Sequence, residues 1–148
     1  MKKLNMWLSE YSKSHQNKTN ERIHWFCVPL ITYSLLGLLW SIPTPDIFHS
    51  VAYLNYATLF CAICLFFYLS LGIRVAFFVS IPILFMLWGI SILAKGDYLL
   101  ISSAVLFLGS WLIQFWGHKI EGRKPSFLKN IFFFLIGPVW VLRSFNLV

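Results

Sequence analysis

Four apolar runs decide what this chain can become. They extend from about Trp25 to Ile42, Val51 to Leu71, Val75 to Ala94 and Tyr98 to Trp116. Each is close to the ~20 mostly apolar residues that a helix needs to cross a bilayer. Hydrocarbon offers no partner to a backbone N–H or C=O, so such runs close their hydrogen bonds as helices. The breaks between them are Pro43-Thr-Pro45-Asp46, Gly72 with Arg74, and Lys95-Gly96-Asp97. Pro82 removes a backbone donor inside the third run and is expected to kink it. A fifth stretch, Ile131 to Leu142, contains Gly137-Pro138 and is too short for a span. It reads as an interfacial or re-entrant helix packed on the bundle. The expected fold is therefore all-α: an integral membrane bundle of four transmembrane helices plus a short C-terminal helix, forming one domain over residues 1–148.

Composition agrees. The 148 residues are 59% hydrophobic and 11% charged, against ~25% charged in a soluble domain. The net charge of +7 sits on residues that flank apolar runs. That placement suits anionic membrane lipid and not nucleic acid. Residues 1–24 contain no apolar core of a signal peptide, so the first span is expected to direct insertion itself. Cys27, Cys61 and Cys64 all lie inside apolar runs. Cys61-Ala-Ile-Cys64 has redox spacing but not the strand–helix setting of that motif, and it reads as helix packing. Trp25, Trp40, Trp111, Trp116 and Trp140 lie near the ends of runs and read as interfacial anchors.

Lys and Arg set the orientation. Lys2, Lys3, Lys13, Lys18 and Arg22 precede the first run. Arg74 lies between the second and third, and Lys119, Arg123, Lys124 and Lys129 follow the fourth. Four spans place all of these on one side, expected to be cytoplasmic, with both termini, and leave Lys95, beside Asp97, on the other. His15, His24 and His118 fall on that side too, while His49 falls across the hydrocarbon and reads as a surface residue.

His15 and His24 are nine residues apart, which on one continuous helix puts them on opposite faces. Shared ligation requires a break, and Asn17-Lys18-Thr19-Asn20 offers one. Asn is a favoured N-cap and Glu21 suits a helix start. A helix beginning after Asn20 would carry His24 in its first turns, with His15 on a helix or loop that folds back. Gln114, His118 and Glu121 follow i, i+4, i+7 and share one helical face, extended by Trp111. Polar groups at such depth face the bundle interior. Three imidazoles with a carboxylate nearby suit non-haem Fe(II), and similar ligands serve zinc hydrolases. A bis-His haem carrier on His24 and His118, or a structural protein with no metal, are further readings. In the metal readings Asn20 and Gln114 would fix imidazole tautomers. Arg22 and Arg123 are headgroup contacts or hold an acidic substrate head.

The segment His15-Gln-Asn17-Lys-Thr-Asn20-Glu-Arg-Ile-His24, followed by Val28-Pro29, resembles a H-x-N-x-x-N-x-x-x-H-x-x-x-x-P signature. Gln114-Phe-Trp-Gly-His118-Lys-Ile-Glu121-Gly-Arg-Lys-Pro125 resembles the same family's Q-x-x-G-H-x-x-E-G-x-x-P. Asn130 and Gly137-Pro138 resemble its C-terminal segment. The family is that of the yeast endoplasmic-reticulum 2-hydroxy fatty acid dioxygenase of phytosphingosine breakdown, and the resemblance covers essentially the whole chain. It implies an Fe(II)-dependent membrane enzyme that uses O2 to shorten 2-hydroxy fatty acids by one carbon. It implies His15, His24 and His118 as metal ligands and Asn17, Asn20 and Gln114 as supporting polar positions. Glu121 is implied as a ligand or as an acceptor beside the ligands. One departure is that residues 139–148 hold Arg143 and no acid, where the family often has a Glu. On this reading residues 1–24 carry the first histidine motif, 25–116 the spans, and 117–148 the second motif and final helix. The membrane would be a bacterial inner membrane or the endoplasmic reticulum.

Overall fold

The computed structural model describes residues 2–128 and 130–148, and for His49 the backbone alone. The charge of Lys129 and the side chain of His49 lie outside the described residues. Among those described there are six α-helices and no strand: α1 Lys2–Ser12, α2 Lys18–Trp40, α3 Tyr56–Leu71, α4 Ile73–Leu93, α5 Leu99–Glu121 and α6 Phe133–Ser144. Short 3-10 turns occupy Asp46–Ser50 and Ser126–Leu128.

Three helices, α2, α4 and α5, are long and apolar enough to cross a membrane. The second apolar run falls short of the expected span. Its helix starts at Tyr56 and not at Val51, because Asn55 closes a capping box with Thr58. Asn55 Oδ1 accepts from Ala57 N at 2.9 Å and Thr58 N at 3.1 Å, and Thr58 Oγ1 accepts from Asn55 N at 3.0 Å. The remaining 16 residues rise only ~24 Å. Side chains such as Phe66, Phe85, Val105 and Leu112 point outward, each at least 67% exposed. In water that would be a large apolar patch; in a bilayer it is the solvated face. Pro82 lies inside α4, which continues through it.

The centre of the bundle is α2, which packs most extensively on α5 and also touches α3, α4 and α6. Two glycines allow the α2–α5 approach. A Cβ on Gly37 of α2 would strike the hydroxyl of Ser103 on α5, and a Cβ on Gly117 of α5 would sit 2.5 Å from Oδ1 of Asn20 on α2. Small residues are how membrane helices gain close van der Waals contact without a hydrophobic driving force. The pairing of 37 with 103 and 20 with 117 also makes the two helices antiparallel. It brings the start of α2 to the end of α5.

The first 24 residues are more structured than their polarity suggested. Leu4, Leu8 and Tyr11 repeat at i, i+4, i+7 and are buried along one side of α1. That side lies on α6: Trp7 meets Phe133 edge-on at 5.0 Å, and Tyr11 meets Trp140 at 5.5 Å. Trp140 is consequently no surface anchor. It is 6% exposed, and its Nε1 donates to Ser12 Oγ at 3.0 Å. The short C-terminal helix thus packs on the bundle and carries α1 with it.

Replacing Gly37 with Val is expected to force α2 and α5 apart and cost about 1–3 kcal/mol, read as a lower thermal midpoint in detergent. Gly89 meets nothing within 4 Å, and Gly89→Ala is the matched control with an unchanged or raised midpoint.

Candidate metal centre

Asn17, and not Asn20, caps α2. Its Oδ1 accepts from Thr19 N at 2.9 Å and Asn20 N at 3.4 Å. The helix therefore begins at Lys18, and the break that lets two nearby histidines converge lies between Ser12 and Asn17. There the chain turns tightly, with Ser14 N donating to Tyr11 O and His15 N to Ser12 O. His15 folds back over Tyr11, with its ring stacked at 4.2 Å and 7°. His24 lies in the second turn of α2, and His118 lies one turn before the end of α5.

These three side chains meet. All are buried, and their ligand atoms lie within 4.8 Å of one another. Ring centroids are 4.3 Å apart for His15 and His24, 4.8 Å for His24 and His118, and 5.0 Å for His15 and His118. His15 Nδ1 donates to Tyr11 O at 2.8 Å and His24 Nδ1 to Asn20 O at 2.9 Å. A carbonyl only accepts, so both Nδ1 atoms carry the proton and both Nε2 lone pairs are left free. His15 Nε2 and His118 Nδ1 are buried without a hydrogen-bond partner. Each such acceptor costs about 1–3 kcal/mol if nothing meets it. Ligands at ~2.0–2.1 Å from a common ion lie up to ~4.2 Å apart, so small side-chain adjustments close this cluster around one. The three imidazoles can hold a metal ion, and the orphaned nitrogens fit that role. They do not suit a haem sandwiched between His24 and His118, whose rings are too close to admit a porphyrin plane between them.

Burial lowers the His15 pKa to about 4, opposed by the bond to the Tyr11 carbonyl and reinforced by His118. The ring is therefore neutral, the form that ligates, at physiological pH. Burial also pushes the Tyr11 phenol up, so it stays protonated.

Glu121 is not in the ligand cluster. Its Oε1 accepts from Gln16 N at 2.9 Å, and its Oε2 from Asn17 N at 2.8 Å and Asn20 Nδ2 at 3.2 Å. Asn20 Nδ2 also donates to Ser14 O at 3.2 Å, and Arg123 Nη1 to Lys13 O at 2.6 Å. The end of α5 thus stitches down the loop that carries His15. The expected job of fixing tautomers falls to the backbone carbonyls of Tyr11 and Asn20 and not to the Asn20 amide. Gln114 is buried one turn before His118 and lines the cavity beside the cluster, which measures about 30 Å3. Arg22 is exposed on α2. The segment of His49 packs by Phe48 on Tyr56, by the start of α3.

Several residues of this cavity escaped the sequence reading: Tyr11, Thr32, Ser126 and Phe134. Tyr11 carried a signal, as the third member of the α1 repeat. Gly137 lets α6 close over the site, since a Cβ there would lie 3.3 Å from Tyr11 Oη and 3.4 Å from Val28.

Three outcomes are expected. His15→Ala, His24→Ala and His118→Ala each lose bound metal after anaerobic purification, measured by elemental analysis. Glu121→Ala keeps all three imidazoles but loosens the His15 loop, weakening metal affinity about 10–100-fold in a chelator competition. In the metal-free protein, the low His15 pKa means that the unfolded chain binds the proton more readily. Its contribution to stability is complete above pH ~6.5 and is lost as pH falls through about 4, read as a falling thermal midpoint whose slope lessens in His15→Gln.

No curated protein and no solved structure matches the chain. The family described as 2-hydroxy-palmitic acid dioxygenase Mpo1-like matches residues 1–146. Its match takes in both histidine motifs and every helix of the bundle, and the chain belongs to the Mpo1-like family.

Proposed function

We propose that the protein is an Fe(II)-dependent dioxygenase that shortens long-chain 2-hydroxy fatty acids by one carbon. The observation that carries this reading is the buried cluster of His15, His24 and His118, with orphaned nitrogens, in a chain whose family is described as a dioxygenase of 2-hydroxy-palmitic acid. Zinc has no redox chemistry of its own, so a hydrolase reading gives up the oxygen chemistry in the family's description.

The balance is one 2-hydroxy acid and one O2 in, and one acid a carbon shorter, one CO2 and one water out. The Cα–carboxyl bond breaks, and Cα is oxidised from alcohol to carboxyl level. Iron(II), when bound, supplies the redox chemistry that lets O2 react with such a substrate. The protein's part is ligation, orientation and exclusion of water. Three imidazoles on one side of an ion leave positions open on the other. Tyr11, Gln114 and Ser126 border that space and offer hydrogen bonds to the substrate's carboxylate and hydroxyl. Arg22 and Arg123, near this end of the bundle, complement the acid's charge. Glu121, Asn17 and Asn20 hold the His15 loop in register.

In the membrane, α3 serves as a fourth, short crossing antiparallel to α4. Gly72 alone joins the two helices, and residues from both, Thr58 and Tyr68 of α3 with Ser80 and Leu87 of α4, line one cleft between them. Four crossings put both termini, the basic flanks and the histidine cluster on the cytoplasmic side, in a bacterial inner membrane or the endoplasmic reticulum.

Iron-loaded protein given 2-hydroxypalmitate under O2 is expected to yield the fifteen-carbon acid with matching O2 uptake, while zinc-loaded protein yields none. His118→Ala abolishes the product. No fifteen-carbon acid from fully iron-loaded protein contradicts the proposal.

A further inference from the structure

The space beside the histidines is about 30 Å3, room for about one water and far too little for an acyl tail. It is not isolated. A second cavity of about 30 Å3 shares Thr32 and Phe134 with it, and a third of about 90 Å3 lies alongside both, sharing Val28 and Thr32 with the first and Thr32, Ile83 and Pro138 with the second. Thr32 and the half-buried Phe134 are thus the wall between the metal centre and the apolar interior.

The walls beyond that point present carbon. The Thr32 hydroxyl is spent on its own helix, donating to Val28 O at 2.9 Å, and the Tyr68 hydroxyl donates to Leu135 O at 3.1 Å. Leu36, Cys61, Cys64 and Ile83 complete the second cavity, and no charged side chain borders it or the third. His24, Val28, Thr32 and Leu36 run down one face of α2 at i, i+4, i+8 and i+12, a depth of ~18 Å. One leaflet of a bilayer's hydrocarbon core is ~15 Å deep, half of ~30 Å. The first two cavities together therefore reach the depth of a single lipid tail, hung from the site where an acidic head would be oxidised, and the third widens them at Thr32.

We propose that this line is the binding channel for the substrate's acyl tail. The tail passes Thr32 and Phe134, with the Phe134 ring turning aside to join the cavities, and ends between α2, α3 and α4 near Leu36, Cys61 and Ile83. Ile83 and Leu36 then set the chain length accepted. The proposal rests on the reading above for the identity of the head group, a 2-hydroxy acid.

Cys64 is free, buried and lines the second cavity, so it reports on the channel; Cys61, also free, borders the α3–α4 cleft as well and serves as the reference for reagent access. The full chain, iron-loaded in lipid nanodiscs without O2, is treated with N-ethylmaleimide, and modification of each cysteine is followed by peptide mass spectrometry. 2-Hydroxypalmitate at ten times its dissociation constant is expected to slow modification of Cys64 about tenfold. 2-Hydroxyoctanoate, too short to reach it, leaves the rate unchanged. Ile83→Trp, confirmed as folded by its unchanged metal content, loses the protection and turns over the eight-carbon acid in preference to the sixteen-carbon one. Protection by neither acid, or equal protection by both, overturns the channel. Protection without any turnover under O2 keeps the channel and removes the oxygenase reading; turnover without protection does the reverse.

Discussion

The antiparallel contact of α2 with α5 is the constraint from which the rest of the molecule follows. A bilayer gives no hydrophobic reward for bringing two apolar helices together, so the attraction comes from close packing and from what the helix ends bond to. Gly37 and Gly117 supply the closeness at the two ends of the pair. That at Gly117 is the consequential one. Removing a side chain there lets Asn20 come up against the backbone of α5, which delivers its amide to Glu121. His24 and His118 follow, because His24 lies one turn on from Asn20 along α2 and His118 is the residue next to Gly117 on α5.

His15 reaches the cluster by a different route. Its segment has no span of its own to hold it. It is held by α1 lying on α6 and by a set of hydrogen bonds from the end of α5 to the backbone of residues 13–17. A carboxylate that accepts three N–H groups is well satisfied where it is, and moving it onto a metal would release the loop. This accounts for an acidic residue three positions after His118 that does not itself join the histidine cluster. The unmet imidazole nitrogens are the counterpart. A fold that satisfies Glu121 so fully leaves His15 Nε2 and His118 Nδ1 without partners, a cost that an ion removes.

Much of this was readable from residue order. Length, apolar runs and the flanking Lys and Arg pointed to a helical membrane bundle, and the spacing of Gln114, His118 and Glu121 put them on one turn-to-turn line that the helix preserves. What was misread shares one cause, local chemistry overruling a periodic pattern. Asn17 and Asn20 are equally good caps on paper. The one that lies inside the helix does so because its side chain has partners on another helix, which order alone does not show. Asn55 likewise ends the helical reach of the second run, although Val51 and Tyr53 before it are apolar. Leu4, Leu8 and Tyr11 were legible as an amphipathic stripe but were masked by Asn5, Ser9 and Glu10 between them and by the flanking Lys2, Lys3 and Lys13. Trp140 sits near a helix end in sequence and is buried in space, because α1 covers it. Tyr11, Thr32 and Phe134 carry no motif, and only the three-dimensional closure of α1 and α6 over α2 brings them to the site.

The central claim is that His15, His24 and His118 share one ion. X-ray absorption spectroscopy of anaerobically purified protein tests it most directly. The account predicts one metal per chain with imidazole scattering from three histidines at ~2.0–2.2 Å, reduced to two when His15→Ala, which loses its metal on purification, is reloaded at high metal concentration. A metal-free protein after reconstitution, or an ion whose first sphere contains no more than one imidazole, would contradict it.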